Sequence, residues 1–350
     1  MKLRFLIIFI IFIILIVSVN FLFAWRGIYS PEEPESLELV TFSIKKGEGA
    51  KEISNNLEKQ GFIRWSFLFR IYVLNKDVSG NLKAGEYSLS KSMNIPEMVN
   101  KFISGEVIKK EITIIEGWNL RDIGKYFGDK AVFSEEELFE LVGFPMVSYS
   151  ETANLPEPKD FSEDFDFLED KPKSLGLEGY LFPDTYQILS GDSIEEIVGK
   201  MLANLDKKLS QELKEEISRQ KKTIFEIVTM ASLIEKEVKT FEDKKIVSGV
   251  LWKRLENNIP LQVDATITYI TGGKTTKLLK EEIKIDSPYS TYKYKGLPLG
   301  PICNPGLESI SAAIYPKDSE YWYYLSTPDG ETIFSETLEG HNMAKAEYLR

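Results

Sequence analysis

Cysteine and histidine are almost absent from this 350-residue sequence, which contains only Cys303 and His341. A single cysteine excludes a disulfide within the chain, and the scarcity of both residue types excludes zinc sites built on several Cys or His ligands. A Ser-His-Asp or Cys-His catalytic device would have to use His341. Unless a metal is held by carboxylates alone, acid-base chemistry falls to Asp, Glu, Lys or Tyr. The sequence therefore predicts neither a metal site nor a cofactor.

Basic residues are also fewer than acidic residues. The 43 Lys and Arg residues against 54 Asp and Glu residues give a formal net charge of −11. Because nucleic-acid phosphates call for basic patches, this balance gives no reason to expect a nucleic-acid partner. The 43% of hydrophobic residues and 28% of charged residues are typical of a folded protein, and the length predicts two or three domains. Neutral or sugar-like ligands remain open.

An apolar run from Phe5 to Trp25 contains only two polar residues in 21. This length is enough to cross a hydrocarbon core of about 30 Å. Lys2 and Arg4 precede the run and an acidic PEEPE segment follows it, so the positive-inside rule places residues 1–4 in the cytoplasm. A cleaved signal peptide is the alternative, but the run is longer than an ordinary signal and lacks a small-x-small site. We expect an uncleaved signal anchor over residues 5–25, with the remainder outside the cytoplasmic membrane.

A small α+β module is predicted beyond a linker over residues 26–38. Residues 39–108 show the periodicities of a β-α-α-β unit followed by one more helix. The predicted elements are strands Leu39–Ile44 and Gly85–Leu89, a helix through Ile53 and Leu57, and helices Trp65–Leu74 and Ile95–Ser104, the last stopped by Gly105.

The same pattern returns 70 residues later, in residues 109–176. Positions Phe42, Ile44, Gly47, Ile53 and Leu57 correspond to Ile112, Ile114, Gly117, Ile123 and Phe127. The arrangement resembles LysM-like modules, which in many cell-wall proteins bind N-acetylglucosamine polymers. The alternative is that the two units are spacers or protein-docking modules. An acidic, Pro-containing stretch from Ser150 to Ser174 completes the second unit and predicts a surface loop or domain boundary.

One helix, predicted from Thr223 to Val238, carries the strongest candidate for catalysis. Thr223 and Glu226 form a capping box, and no Gly or Pro interrupts the run. At about 100° per residue, Glu235 lies in an apolar stripe, whereas Glu237 is predicted on the solvent side. A carboxylate in apolar surroundings has a raised pKa and could hold a proton as a general acid. A buried structural Glu is the alternative.

Two further regions offer groups suited to a sugar. The segment LEGYLFPDTYQI could form one wall of a cleft, with Glu178 and Tyr186 beside its rings, or a packed strand and turn. LQVDATITY and a Gly- and Pro-rich loop over residues 286–306 follow, and such loops on a scaffold commonly carry sites. The candidate sugar-binding residues there are Gln262, Asp264, Tyr289, Tyr292 and Asn304, with loop-fixing hydrogen bonds as the alternative for each.

At these residues the chain resembles the endolytic murein transglycosylase family, also called YceG-like. The motifs that carry the likeness are EGYLFPDTY, ASLIEKEV, KRL followed by LQVDATITY, SPYSTY, GLPLGPICNPG and TLEGHN, in this order. The sequence departs from the usual family motifs where it has Ser290, Ala265, Lys253 and Thr332.

The resemblance implies a membrane-anchored enzyme that cuts peptidoglycan glycan strands internally without a cofactor. It assigns the catalytic role to Glu235 and adds Ser290 to the residues that bind substrate. It also suggests penicillin-binding proteins and the elongation machinery as partners.

The predicted reaction uses one acid. Glu235 would protonate the glycosidic oxygen between N-acetylmuramic acid and N-acetylglucosamine, then accept a proton from the muramic C6 hydroxyl as a 1,6-anhydro ring closes. A muramidase that uses Glu235 together with Asp264 is one alternative, because glycoside hydrolases normally need two carboxylates. A non-catalytic wall-binding scaffold is the other. The expected fold class is α+β, with the catalytic domain over residues 177–350.

Overall fold

The computed structural model describes residues 2–152, 154–273 and 279–349, so Met1 of the predicted cytoplasmic tail lies outside the described residues. The chain divides into two compact units, one of residues 1–111 with 187–193 and the other of residues 112–186 with 194–350. Both contain helices and short antiparallel strands. The predicted mixed α+β class is confirmed.

The described part of the chain forms thirteen α-helices and six strands. The helices are α1 Lys2–Tyr29, α2 Ala50–Lys59, α3 Ser66–Asn75, α4 Ile95–Ser104, α5 Leu120–Asp129, α6 Glu135–Val142, α7 Ile194–Lys208, α8 Gln211–Arg219, α9 Ile224–Glu237, α10 Phe241–Glu256, α11 Asp264–Thr271, α12 Leu307–Ile314 and α13 Leu338–Tyr348. The strands are β1 Val40–Ile44, β2 Gly85–Leu89, β3 Lys109–Thr113, β4 Thr185–Leu189, β5 Tyr323–Ser326 and β6 Thr332–Ser335, paired as β1-β2, β3-β4 and β5-β6.

Helix α1 is long and apolar enough to cross a membrane. Its span from Arg4 to Tyr29 has a mean hydropathy of 3.2 and exposes its apolar side chains. The last turns pack on α3, where the ring of Phe23 lies 4.4 Å from that of Trp65. The predicted apolar helix is therefore present, and its topology stays a prediction.

The first unit has the predicted β-α-α-β order. Strands β1 and β2 are antiparallel, with Val40 opposite Leu89 and Ile44 opposite Gly85. Phe42 and Tyr87, which are also paired, point into a core formed with α2, α3 and α4. Helix α4 begins and ends as its sequence predicts, and it ends at Gly105 in the left-handed conformation. The likeness of this unit to a LysM module, and its binding of glycan, stay predictions.

The second unit opens with the predicted repeat. Gly47 and Gly117 both adopt a positive φ, at 89° and 79°. Each precedes a helix whose N-cap N–H donates to an acidic side chain three residues later, Glu52 in α2 and Asp122 in α5. The apolar positions that correspond between the repeats are all buried: Phe42 and Ile112, Ile44 and Ile114, Ile53 and Ile123, Leu57 and Phe127. The strand that pairs with β3 is β4, which follows the predicted boundary at residue 176.

Helix α9 is the centre of the second unit. It packs against α8, α10, α11 and α12. All eight residues from Ile227 to Ile234 are buried, so α9 is covered on every side rather than along one stripe. The capping box of Thr223 and Glu226 forms as predicted. Residues 286–306 contain no helix or strand, as predicted, and Ile302 N–H of this loop donates to the hydroxyl of Ser232 on α9.

Candidate active site

The carboxylate of Glu235 lies at the C-terminal end of α9, where three donors converge on it. Lys244 Nζ is 3.3 Å from Oε1. The backbone N–H of Gly306 and the hydroxyl of Ser309 donate to Oε2 at 2.9 Å and 2.7 Å. The side chains of Glu235 and Lys244 are only 9% and 4% exposed. The carboxylate is thus held in one orientation by charge-assisted hydrogen bonds.

Helices α10 and α12 supply these donors. Lys244 is in the first turn of α10 and shares a face with Val247 and Leu251, which are fully buried. Gly306 is the N-cap of α12, and Ser309 is in its first turn. The N-terminus of α12 therefore points its free N–H groups and positive dipole end at Glu235.

These contacts change one part of the sequence prediction. Val228, Ala231 and Val238 of the predicted stripe are buried, as expected. The carboxylate of Glu235, however, reaches beyond this stripe and ends among Lys244 and the polar groups of α12. Its surroundings are not the apolar pocket that helix periodicity predicts, because α10 and α12 are placed there by tertiary packing.

A second carboxylate, that of Glu116, lies against the same loop. If Gly306 carried a Cβ atom, that atom would be 2.0 Å from Glu116 Oε1. The absence of a side chain at Gly306 thus lets Glu116 approach the segment that contacts Glu235. Burial, and then repulsion by Glu235, raise the pKa of Glu116, whereas Lys244 lowers it. Glu116 was not among the residues predicted for the site, and its only signal in the sequence is its place before the turn glycine Gly117.

Asn304 forms the hydrogen bonds that join the loop containing Glu116 to the loop that precedes α12. Gly117 N–H donates to Asn304 O at 2.9 Å, and Asn304 N–H donates to Trp118 O at 2.8 Å. The Asn304 amide also donates to Trp118 O and accepts from Leu181 N–H. Asn304 is fully buried. It therefore positions the site, as in the loop-fixing alternative, and has no free surface for a sugar.

Glu237 differs from its predicted solvent-facing position. It is partly buried, and desolvation and the charge of Asp264 raise its pKa to about 7, although hydrogen bonds from Tyr324 and Ala265 oppose this shift. The prediction was wrong because α11 and β5 cover the side of α9 that helix periodicity alone assigns to solvent.

Gln262, Asp264 and Tyr292 form a patch near Glu237. Gln262 is exposed and has φ of 54°, which is unusual for a residue with a side chain. The hydroxyl of Tyr292 donates to Asp264 Oδ1. These three candidates remain reachable from solvent. The structure brings Asp264 to Glu237 rather than to Glu235.

The other candidates are buried inside the second unit. Glu178 accepts hydrogen bonds from Leu120 N–H and from the Tyr269 hydroxyl. Tyr186 donates to Phe182 O at 2.6 Å. The ring of Tyr289 packs at a tilt against that of Tyr269, with centroids 5.2 Å apart, and the Ser290 hydroxyl accepts from Lys293 N–H. These internal contacts suit the packed-strand alternative better than a cleft wall.

Glu178 makes stability depend on pH. Its burial raises its pKa to about 7, whereas an unfolded Glu has a pKa of about 4.3. Because the folded state then binds the extra proton, this contribution to stability is complete below about pH 4 and is lost as pH rises through 7. We expect the unfolding free energy to fall between pH 5 and pH 8, and Glu178→Gln to reduce that fall by on the order of 3 kcal/mol. Urea unfolding of wild type and of Glu178→Gln across this pH range measures the change in unfolding free energy.

The exposed Glu140 gives the matched control, since Glu140→Gln removes a carboxylate of the same kind from the surface. A pH profile of stability that is identical in wild type and Glu178→Gln would contradict the prediction.

Across residues 2–152, 154–273 and 279–349, no group of three or more His, Cys, Asp or Glu side chains has the arrangement of a metal site. The single histidine, His341, stacks on Tyr323 at 5.2 Å.

Comparisons with known proteins show which family the chain belongs to. The sequence model of the YceG-like family matches residues 42–347. A Bacillus subtilis protein named endolytic murein transglycosylase is 33% identical over 338 residues, which cover 96% of this chain and 91% of that protein. A Streptococcus pneumoniae protein of the same name is 32% identical over 337 residues. These residues cover 91% of this chain and 60% of that protein.

A solved structure shows the same architecture. The crystal structure of a YceG-like protein from Listeria monocytogenes matches this chain with a TM-score of 0.57 and 34% sequence identity. The match covers 88% of this chain and 99% of the Listeria chain. The chain belongs to the YceG-like family. The resemblance that the sequence motifs indicated is confirmed, and the curated relatives are named for the enzyme activity that those motifs predict.

Proposed function

We propose that this protein is an endolytic peptidoglycan lytic transglycosylase that cleaves the bond between N-acetylmuramic acid and N-acetylglucosamine and leaves 1,6-anhydro ends. The observation that carries the proposal is the carboxylate of Glu235, held by Lys244, Gly306 and Ser309. The names of the relatives support the choice of substrate. The site therefore has a fixed carboxylate where the family resemblance assigns the catalytic acid.

The donors around Glu235 suit a group that gives up and regains a proton. As Glu235 donates to the glycosidic oxygen, its carboxylate gains negative charge, which Lys244 and Ser309 are already placed to stabilise. The bond from the anomeric carbon to that oxygen then breaks. The muramic C6 oxygen bonds to the anomeric carbon, and its proton returns to Glu235. No water enters the products.

The exposed patch is suited to orient the sugar. The positive φ of Gln262 keeps its side chain in solvent at a backbone position that costs on the order of 1 kcal/mol. Strain of this kind often accompanies a functional site. Gln262 and Asp264 would hydrogen-bond sugar hydroxyls or the acetamide, and the ring of Tyr292 would pack beside them.

The proposed location is the outer side of the cytoplasmic membrane, with α1 as a single uncleaved anchor and the N-terminus inside. The length and apolarity of α1 support this arrangement. An anchored enzyme would cut nascent strands close to their synthesis and so end their elongation. Penicillin-binding proteins and the elongation machinery are the proposed partners, and the LysM-like units are proposed to hold glycan.

Two other functions are less well supported. A muramidase that pairs Glu235 with Asp264 is disfavoured, because Asp264 accepts a hydrogen bond from Tyr292 and its charge raises the pKa of Glu237. A wall-binding scaffold would not need an oriented carboxylate held by a buried lysine, since burying such a pair carries a desolvation cost.

Strand-length analysis tests the proposal. Purified full-length protein in detergent is incubated with long glycan strands, and the distribution of strand lengths is followed by chromatography. We expect rapid shortening from internal cuts. Binding to the strands without any shortening would favour the scaffold, and release of only terminal disaccharides would exclude internal cleavage.

A further inference from the structure

Glu116 and Glu235 approach one another from opposite sides of Gly306. Glu116 Oε1 lies 2.0 Å from the position of a Cβ on Gly306, whose N–H is 2.9 Å from Glu235 Oε2. Since N and Cβ of one residue are about 2.5 Å apart, the two carboxylate oxygens are separated by at most about 7.4 Å. Paired carboxylates that act on one glycosidic bond are about 5 to 9.5 Å apart.

The two carboxylates have contrasting surroundings. Glu235 receives three donors, whereas Glu116 is exposed and accepts no hydrogen bond within the described part of the chain. Structural carboxylates normally have partners, because an ion fixed near a like charge is unfavourable. The backbone that follows Glu116 is nevertheless fixed, since Gly117 and Trp118 are hydrogen-bonded to Asn304.

The loop that contains Glu116 also contacts side chains of α9. Lys236 Nζ donates to Gly117 O at 3.2 Å, and a Cβ on Gly117 would be 3.6 Å from Glu235 Cγ. The position of Glu116 is therefore coupled to the helix that carries Glu235. An exposed, unpartnered carboxylate held at this distance is available to a substrate.

We propose that Glu116 is a second catalytic carboxylate, which faces the anomeric carbon while Glu235 transfers the proton. This inference rests on the proposed function and assigns a further residue to the same site. As the bond to the glycosidic oxygen breaks, positive charge develops on the anomeric carbon and the ring oxygen. The negative charge of Glu116 stabilises that state and forms no bond. Glu235 still donates the proton and recovers it, and the C6 hydroxyl remains the attacking group.

The test compares Glu116→Gln with wild type as full-length protein. We expect a decrease in kcat of about 10² to 10³-fold at pH 7, the usual loss when one preorganised charge is removed, with little change in KM. Because protonation removes the same charge from wild type, the difference in kcat should shrink as pH falls through the raised pKa of Glu116. A residue with only a structural role would not produce this convergence.

Two variants complete the experiment. Glu116→Asp retains the charge at a shorter reach and should recover part of the lost rate. Glu140→Gln is the matched control, because Glu140 is an exposed carboxylate on α6, outside the proposed site. Its rate should stay within about threefold of wild type, as expected for a screened surface charge.

The inference is overturned if Glu116→Gln retains wild-type kcat, or if its loss of rate is independent of pH and equalled by Glu140→Gln. Should wild type itself release no fragments, the proposed function would fail instead. These outcomes separate the two claims.

Discussion

Glu235→Gln is expected to abolish the release of glycan fragments, with a loss of at least about 10³-fold in kcat. Gln has nearly the same size and can still accept hydrogen bonds from Gly306 and Ser309, so the second unit should still fold, although with lower stability because the buried Lys244 loses its ion-pair partner. It cannot, however, donate and recover the proton at the glycosidic oxygen. Turnover of purified peptidoglycan, followed as soluble muropeptides, measures the loss.

The same helix offers a matched control. Glu226→Gln changes a carboxylate in the first turn of α9, where Gln can retain the capping box with Thr223. This variant should keep wild-type turnover. Substantial activity in Glu235→Gln, with circular dichroism that matches wild type, would remove Glu235 from its assigned role.

Lys244→Met is expected to destabilise the protein by about 3 kcal/mol and to reduce activity sharply. The ammonium of Lys244 is 3.3 Å from Glu235, and both side chains are more than nine-tenths buried. Removing one member of a buried ion pair leaves the other charge without compensation. Met preserves most of the volume beside Val247 and Leu251, so a packing defect contributes little. Urea denaturation at pH 7 gives the change in unfolding free energy.

A double-mutant cycle separates this charge effect from packing. If the cost arises from an uncompensated Glu235, then Lys244→Met together with Glu235→Gln should be more stable than the sum of the two single changes predicts. Additive losses would show that the two side chains do not interact. Lys244→Arg should retain part of the stability, since it preserves the charge.

Helix α9 shows how much of this site is present in the sequence. The capping box, the absence of breakers and the position of Glu235 near the C-terminus follow from local rules, and the structure agrees with each. The repeat of strand, glycine and helix at an offset of 70 was similarly visible, because the buried positions and the turn glycines recur. Both patterns depend on residues close together in the chain.

The surroundings of Glu235 could not be predicted in the same way. Ser309 lies 74 residues from Glu235 along the chain, and only tertiary packing brings the two together. The same packing covers Glu237, which periodicity places in solvent, since α9 is buried on all sides. Lys244 does have a local signal, because it is a basic residue on the same helix face as the apolar Val247 and Leu251.

The most direct test of the central claim is mass spectrometry of the ends that the full-length enzyme creates in purified peptidoglycan. Intramolecular attack by the C6 hydroxyl predicts muropeptides that are lighter by one water than reducing-end products, and none of them with Glu235→Gln. Reducing ends in their place would contradict the account, because they would show that water, activated by a second carboxylate, attacks the anomeric carbon.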